Sequence, residues 1–195
     1  MVKIGLTGGV GAGKSQVLQW MNNYAGAKII RTDDLARRIM EPGEAGYIQV
    51  IEALGNSFLD QEGRIDRPVL AELIFNNKEA RTVVNAITHP LVWRMMKEEL
   101  QEGEYTGQKW IVVESAIFNE HAIACFDEIW YVYAPDEKRI KRLMEGRGYS
   151  RKRCEEMIAS QCSDAQFRKI SHWIIDNGGS WNQTEEQLKK YLSKS

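Results

Sequence analysis

The stretch Gly8-Gly9-Val10-Gly11-Ala12-Gly13-Lys14-Ser15 decides the fold, because it matches the pattern G-x-x-x-x-G-K-S of a phosphate-binding P-loop. Glycines let the backbone curl until several N–H groups point at one anion, and the helix that begins after the loop adds the positive end of its dipole. Lys14 can reach the β- and γ-phosphates as a point charge, and Ser15 offers its hydroxyl to the bridging Mg²⁺. The pattern predicts a nucleotide site formed by Gly9, Gly11, Ala12, Gly13, Lys14, Ser15 and Gln16, with Ser15 as the metal ligand.

The segments around this loop favour the same interpretation. Val2 to Thr7 is typical of a short buried strand, and residues 14 to about 24 have apolar side chains at helical spacing. Strand, loop and helix in this order are the context in which a P-loop occurs. The alternative, a glycine-rich turn that binds nothing, does not account for this context.

Length and composition describe an ordinary globular protein. The chain has 195 residues, of which 43% are apolar and 27% charged, and this predicts one domain with a substantial core. The formal net charge of -1 gives no general attraction to nucleic acid or to an anionic membrane. No apolar run is long enough to span a bilayer. We therefore expect a small-molecule substrate, and neither a nucleic acid nor a membrane as partner.

Cysteine usage and the N-terminus indicate the compartment. The three cysteines are odd in number and show no C-x-x-C spacing, which argues against a disulfide framework and against a zinc site. The first residues do not resemble a signal peptide, because their short apolar run breaks into the glycines of the P-loop. These features predict a cytoplasmic enzyme.

A pair of acids follows the second predicted strand, Lys28 to Arg31. Ligands of open parallel sheets bind at the carboxyl ends of the strands, so Asp33 or Asp34 could take a proton from an attacking hydroxyl or hold Mg²⁺ through water. The alternative role is a helix cap, because the following residues have a helical pattern. We predict that Asp33 carries the chemistry and that Asp34 is the cap or a first-turn residue.

Residues from about 34 to 107 show helical periodicity and no convincing strand. A structureless connection of this length is uncommon in a compact domain, so we predict a helical insertion that covers the site. His89 is either a substrate contact or a partly buried residue whose backbone is extended before Pro90. Residues 103–107 are expected to form a loop, and breaks are expected at Gly55-Asn56, Glu62-Gly63, Asn76-Asn77 and His89-Pro90.

Three further apolar runs predict the remaining strands, at residues 110–114, 129–133 and 172–176. The first of these ends in Glu114 and has the form of a Walker B strand. Glu114 either tunes Mg²⁺ through water or caps the next turn. Asn177, at the ligand end of the last strand, is either a contact to the adenine edge of the nucleotide or part of a plain turn.

A run of eight basic residues follows the fourth strand: Lys138, Arg139, Lys141, Arg142, Arg147, Arg151, Lys152 and Arg153. Gly146 and Gly148 are expected to break the helical pattern in its middle. We predict that residues 138–154 form a mobile lid whose arginines close on the transferring phosphates. The alternatives are a solvated basic helix face and a nucleic-acid patch, and the interleaved glutamates weigh against the patch.

Taken together, these residues resemble the dephospho-CoA kinase family, which is related to the nucleoside monophosphate kinases, almost from end to end. The stretch 85–91 together with the P-loop is far more specific than the P-loop alone. The matching positions are 6–15, 29–30, 33, 36–37, 41–43, 63–67, 75, 85–91, 141–144, 158–161 and 175–177.

The resemblance implies an α/β P-loop fold, with a five-stranded parallel sheet flanked by helices, a helical substrate-binding insertion and a lid. It implies transfer of the γ-phosphate of ATP to the ribose 3′-hydroxyl of dephospho-CoA, which gives coenzyme A. Asp33 would be the general base, Lys14 would stabilise the transferring phosphoryl group, and Ser15 would hold Mg²⁺. Arg37 and His89 would face the acceptor.

Three segments depart from the family pattern. Arg31-Thr32-Asp33 stands where the family has Asp-Ala-Asp, and Ser115-Ala116-Ile117-Phe118-Asn119 stands in place of Pro-Leu-Leu-Phe-Glu. In the lid, Gly146-Arg147 replaces an Arg-Asp pair. Arg142 and Arg147 are therefore rival candidates for the catalytic arginine.

We predict a single kinase domain with a core of residues 1–33, 108–137 and 155–195, an insertion of about 34–107 and a lid of about 138–154. Two alternative functions follow from the residues. A P-loop kinase for another small hydroxylated acceptor, such as a nucleoside monophosphate, would differ only in the insertion. A non-catalytic nucleotide switch needs no acceptor base, and the sequence lacks the Asn-Lys-x-Asp motif of guanine-specific switches.

Overall fold

The computed structural model describes residues 1–116, 118 and 120–193. Ile117 and Asn119, two positions of the segment that departs from Pro-Leu-Leu-Phe-Glu, lie outside the described residues. The strands are β1 (Val2–Thr7), β2 (Lys28–Arg31), β3 (Trp110–Glu114), β4 (Glu128–Tyr133) and β5 (Trp173–Asp176). The helices are α1 (Lys14–Ala25), α2 (Thr32–Arg38), α3 (Ala45–Leu54), α4 (Arg67–Asn76), α5 (Lys78–Tyr105), α6 (Glu120–Ile123), α7 (Asp136–Arg147), α8 (Arg151–Ala159), α9 (Asp164–Ile170) and α10 (Trp181–Leu192).

The five strands form one sheet in the order β2-β3-β1-β4-β5. The pairs β1–β3, β1–β4 and β4–β5 are parallel, and such pairs need crossover connections, which the helices supply. β1 lies at the centre of the sheet, and its residues Ile4 and Leu6 are fully buried. The predicted α/β fold with a five-stranded parallel sheet is confirmed, and the P-loop follows directly on the central strand.

The chain divides into two compact units, Met1–Ile29 together with the chain from Gly103 onward, and Ile30–Glu102. In the first unit, α1 packs Leu18 against a core that includes Trp130 of β4. The second unit contains α2 to α4 and most of α5, and has a core of its own, formed by Val50, Phe58, Leu70 and Val84. Each fully buried side chain of this size contributes roughly 1.5–3 kcal/mol, so both units have substantial internal stabilisation.

Helix α5 continues through Pro90 to Tyr105, so the predicted break at His89-Pro90 is wrong, and the loop predicted over residues 103–107 is confined to 106–107. A proline inside a helix removes one hydrogen bond and costs about 3 kcal/mol. Burial of Leu91 and Met96 just beyond the proline offsets that loss. His89 therefore has a helical backbone, and not the extended one expected before proline. Although α5 has 28 residues, neither it nor any other helix in the described part of the chain is apolar enough to cross a membrane.

Helix α7 runs through Gly146 and ends at Gly148, whose φ of 64° is left-handed. The break predicted at Gly146 is wrong and the one at Gly148 is right, because only the second glycine has a backbone conformation that ends a helix. Ser150 then caps α8 by accepting a hydrogen bond from the Arg153 amide. We call residues 136–159 the α7–α8 hairpin, and its core is formed by Ile140, Leu143 and Cys154.

Helix α9 has no counterpart in the sequence-based prediction. It begins with a capping box between Ser163 and Gln166. The Tyr131 hydroxyl of β4 donates to Asp164 at 3.1 Å, and Arg168 donates to the same carboxylate at 2.7 Å. Burial, followed by the bond to Asp164, raises the pKa of Tyr131, and the bond from Arg168 lowers the pKa of Asp164. These contacts fix α9 against the sheet.

Candidate active site

The P-loop spans residues 8–15, between the end of β1 and the first turn of α1. Gly8, Gly11 and Gly13 have φ values of 150°, 77° and 98°, which residues with side chains rarely adopt. Gly13 is also the N-cap of α1, so the first-turn amides have no carbonyl partner within the helix and form the positive end of its dipole. The loop has the curvature and the helix start that phosphate binding needs.

The Lys14 ammonium bends back over the loop. Its Nζ donates to the Gly8 carbonyl at 2.9 Å and lies 3.5 Å from the Gly9 carbonyl. The same atom is 3.8 Å from Oε1 of Glu114, the acid at the end of β3. The two side chains are only 16% and 20% exposed, so salt screens their attraction less than it would at an open surface. Lys14 and Glu114 thus meet at the carboxyl ends of two paired strands.

Oxygen groups that suit Mg²⁺ lie on and beside the loop, without forming a complete cage. Ser15 is exposed in the first turn of α1, and Glu114 offers a carboxylate next to Lys14. Among residues 1–116, 118 and 120–193, no group of three or more His, Cys, Asp or Glu is arranged to hold a metal ion. Mg²⁺ in nucleotide sites is usually held by one or two protein groups plus substrate phosphates, so this donor set fits.

Asn177 lies buried behind the P-loop, with 2% of the residue exposed. Its Nδ2 donates to the Ala12 carbonyl at 2.7 Å, and its Oδ1 accepts from the Thr184 hydroxyl at 2.9 Å. A Cβ added to Gly13 would lie 2.1 Å from that Nδ2 atom, so a larger residue would displace the amide. The Asn177 side chain supports the loop, and its contact with a nucleotide stays a prediction.

Arg142 holds the same part of the loop. Its Nη1 lies 3.2 Å from the Ala12 carbonyl, and its Nη2 donates to the Asn177 carbonyl at 2.7 Å. The carbonyl and the N–H of a trans peptide point in opposite directions, so an Ala12 carbonyl held outward aims the Gly13 N–H inward. Arg147 is exposed in the last turn of α7. Of the two rival arginines, Arg142 is thus the one that we find in contact with the P-loop.

Two residues that the sequence did not assign to the P-loop also contact it: Arg139 was expected as one of the lid arginines, and Gln161 was given no role. Arg139 Nε donates to the Val10 carbonyl, and Gln161 Oε1 accepts from the Val10 N–H, both at 2.9 Å. A signal was present at Gly9 and Gly11, because the pattern G-x-x-x-x-G-K-S does not require glycine there. A Cβ at Gly9 would lie 2.2 Å from Nη2 of Arg139, and one at Gly11 would lie 2.8 Å from the Arg139 carbonyl oxygen. Both glycines make room for α7.

The three residues expected to face the acceptor belong to the second unit, and all three are exposed. Asp33 lies in the first turn of α2, whose N-cap is Arg31, so Asp34 is a first-turn residue and not the cap. The Arg37 guanidinium lies 3.7 Å from the Asp34 carboxylate. His89 lies in the interior of α5. Each of the three is accessible to a ligand, as its assigned role needs.

The second unit also contains a cleft of about 280 Å³ beside α4. Two cations, Arg64 and Arg67, line it, and each is paired with a neighbouring glutamate. Its wall is otherwise largely apolar and includes Met40, Pro42, Ile65, Leu70, Ala71 and Ile74. An apolar wall with a few charged groups is the usual composition of a small-molecule site.

Comparisons with known proteins identify the family. The sequence model of the dephospho-CoA kinase family (CoaE) matches residues 2–183. The dephospho-CoA kinase of Carboxydothermus hydrogenoformans is 38% identical over 192 residues, which cover 98% of this chain and 93% of that protein. The crystal structure of TT1252 from Thermus thermophilus superposes with a TM-score of 0.80 at 29% identity, covering 99% of this chain and 97% of that one. Dephospho-CoA kinase from Campylobacter jejuni gives a TM-score of 0.73 at 25% identity, with 98% and 96% covered. The chain therefore belongs to the dephospho-CoA kinase family.

Proposed function

We propose that this protein transfers the γ-phosphate of ATP to the ribose 3′-hydroxyl of dephospho-CoA, the last step in the formation of coenzyme A. One observation carries the proposal: the chain combines a curved P-loop, with Lys14 bent over it, and membership of the dephospho-CoA kinase family. Phosphoryl transfer demands little covalent work from a protein. It demands positioning and neutralisation of charge, and the loop residues are suited to both.

The P-loop and Lys14 bind the phosphates of ATP. When a phosphate enters, Lys14 exchanges the Gly8 carbonyl for a phosphate oxygen and neutralises charge on the transferring group. Ser15 would hold Mg²⁺ directly and Glu114 would hold it through water; the bound ion would neutralise charge on the β- and γ-phosphates. Arg142 is our choice for the catalytic arginine because it contacts the loop, and Arg147 is the second candidate.

Asp33 accepts the proton of the 3′-hydroxyl, and Arg37 and His89 bind the acceptor. All three are exposed, which supports these roles. Dephospho-CoA also carries an anionic diphosphate and a long, weakly polar pantetheine arm. The cleft beside α4, with its two arginines and its apolar wall, suits these two parts, and we infer that it holds them.

We also infer that the protein works in the cytoplasm. Cys154 and Cys162 are free thiols, and Cys154 is buried in the α7–α8 hairpin. Unpaired cysteines are typical of a reducing compartment.

The test of the proposed function measures ADP release by the purified protein with Mg-ATP and one of three acceptors. Dephospho-CoA should give ADP in step with a product that gains one phosphoryl group. Coenzyme A is the matched control, because its 3′-position is already phosphorylated, and it should give no such release. AMP tests the alternative of a nucleoside monophosphate kinase. ADP release that dephospho-CoA leaves unchanged would contradict the proposal.

A further inference from the structure

The tip of the P-loop is held from outside by residues that the phosphate-binding pattern does not specify. The side chain of Val10 packs against Ile140, Leu143 and Cys154, the core of the α7–α8 hairpin. The two backbone polar groups of Val10 are also engaged, because its N–H donates to Gln161 and its carbonyl accepts from Arg139. Val10 is therefore held by one packing contact and two hydrogen bonds.

The Arg139 guanidinium has a single well-defined orientation. The residue is only 8% exposed, and its Nε, Nη1 and Nη2 donate to the Val10 carbonyl, the Asp136 carboxylate and the Gln161 carboxamide, each at 2.9 Å. The same Gln161 oxygen accepts from the Val10 N–H, so Arg139, Gln161 and Val10 form a closed ring of hydrogen bonds. A shielded cation that makes three hydrogen bonds is costly to move, because a displacement leaves polar groups unpaired.

This ring decides which amides of the loop face inward. The Val10 carbonyl and the Gly11 N–H belong to one planar trans peptide, so Arg139, by drawing the carbonyl outward, turns the Gly11 N–H toward the concave side. Gln161 draws the N–H of Val10 outward and so turns the Gly9 carbonyl inward, where it accepts from the Ala12 amide at 3.2 Å. The pair thus helps to set the pattern of donors that a phosphate meets.

Arg139 and Gln161 lie close to the two ends of the α7–α8 hairpin. Arg139 lies in the first turn of α7, and Gln161 follows the end of α8 at Ala159. A displacement of the hairpin would therefore move Val10 through three contacts: the hydrogen bond from Arg139, the hydrogen bond to Gln161, and the packing of the Val10 side chain against the hairpin core.

We propose that Arg139 and Gln161 are positioning residues that aim the Gly11 amide at the phosphates of ATP and couple the α7–α8 hairpin to the P-loop. The proposal rests on the proposed function in one respect only, that ATP is the ligand of the loop. The acceptor plays no part in it.

The first test compares Arg139→Ala with Arg168→Ala in the full chain. Arg168 is a matched control, because it is also an arginine paired with an aspartate at the start of its own helix, Asp164, but it lies in α9 and not in the hairpin. The affinity for ATP, measured without acceptor, should fall roughly tenfold or more in Arg139→Ala, the effect of losing one or two charge-assisted hydrogen bonds. It should stay within about twofold of wild type in Arg168→Ala. The KM for dephospho-CoA should not change in either variant.

Two further readouts separate positioning from a general loss of structure. The amide proton of Gly11 should shift downfield in the NMR spectrum when ATP binds to the wild type, and this shift should be smaller in Arg139→Ala. Free guanidinium ion at millimolar concentration should restore part of the ATP affinity of Arg139→Ala and leave that of Arg168→Ala unchanged. If Arg139→Ala does not fold, the same measurements are made on Gln161→Met. This variant keeps the side-chain length and removes the oxygen that accepts from both Val10 and Arg139.

The proposal is overturned if the variants at 139 and 161 bind ATP as tightly as Arg168→Ala does, or if the Gly11 shift on binding is the same as in wild type. A protein that gives the expected ATP results but does not phosphorylate dephospho-CoA would refute the proposed function and leave the positioning role in place.

Discussion

The two neighbouring aspartates at the start of α2 differ in what surrounds them. Both are exposed, and the Asp34 carboxylate lies 3.7 Å from the Arg37 guanidinium. Both belong to the first turn of the helix, where the dipole stabilises negative charge. Because their positions in the helix are so similar, Asp34 is a natural control for the chemical role that we assign to Asp33.

We expect Asp33→Asn to lower turnover with dephospho-CoA by roughly a hundredfold or more, because an amide cannot accept the proton of the attacking hydroxyl. The affinity for ATP should be nearly intact. Asp34→Asn removes the same charge from the same turn, and its turnover should stay within about threefold of wild type. Steady-state kinetics on both variants check this. Similar turnover in the two variants would remove Asp33 as the base.

The residues of the P-loop could be predicted because all of them lie within one short local pattern. The residues that support the loop could not, because Arg139, Gln161 and Asn177 contact it across sequence separations of 129, 151 and 165 residues. Such contacts are set by tertiary packing, which no local spacing encodes. Asn177 was singled out by its place at a strand end, but its buried contact with the loop was not foreseen.

At the scale of secondary structure, strands and their order along the chain were predictable, and the ends of helices were less so. Pro90 and Gly146 were expected to break helices, and both lie inside one. A proline or glycine lowers the stability of a helix but does not prevent it when the helix is held by packing. Helix α5 has buried residues on either side of Pro90, among them Val84 and Leu91, and α7 has Ile140 and Leu143 buried in the turns before Gly146.

Gly146→Ala should therefore stabilise the protein by roughly 0.5–1 kcal/mol, because alanine is the better helix former and an added Cβ meets nothing within 4 Å. Gly148→Ala is the matched control, because Gly148 is two residues further on, at the C-cap of the same helix. Its Cβ is also unobstructed, but its φ of 64° is left-handed, so this substitution should destabilise by about 1 kcal/mol. Urea unfolding of the two variants measures the sign of each change in the free energy of unfolding. A loss of stability in Gly146→Ala would contradict the helical conformation at that residue.

At the scale of the whole molecule, the candidate groups are divided between two compact units. Lys14, Ser15 and Arg142 belong to the first unit, and Asp33 and His89 belong to the second. Each unit has its own hydrophobic core. The donor and the acceptor are thus assigned to parts of the chain that are packed separately, and we expect each to bind without the other.

Hydrogen exchange measured with one ligand at a time checks this division. ATP alone should slow the exchange of amides in residues 8–16 and 139–143, all in the first unit. Dephospho-CoA alone should slow exchange in residues 33–42 and 64–74, all in the second. Protection by dephospho-CoA that is confined to the first unit would contradict the assignment of the acceptor.

The support of the P-loop by Asn177 has a consequence for how the protein is made. The Ala12 carbonyl accepts a hydrogen bond from the side-chain amide of Asn177, which lies 165 residues later in the chain. The hydroxyl of Thr184 in α10 holds that amide in place. A ribosome synthesises the chain from its N-terminus, so the complete nucleotide-binding motif emerges when its supports do not yet exist. For most of its synthesis the nascent chain has the motif without the finished site, and a chain released before Asn177 would keep that unfinished loop.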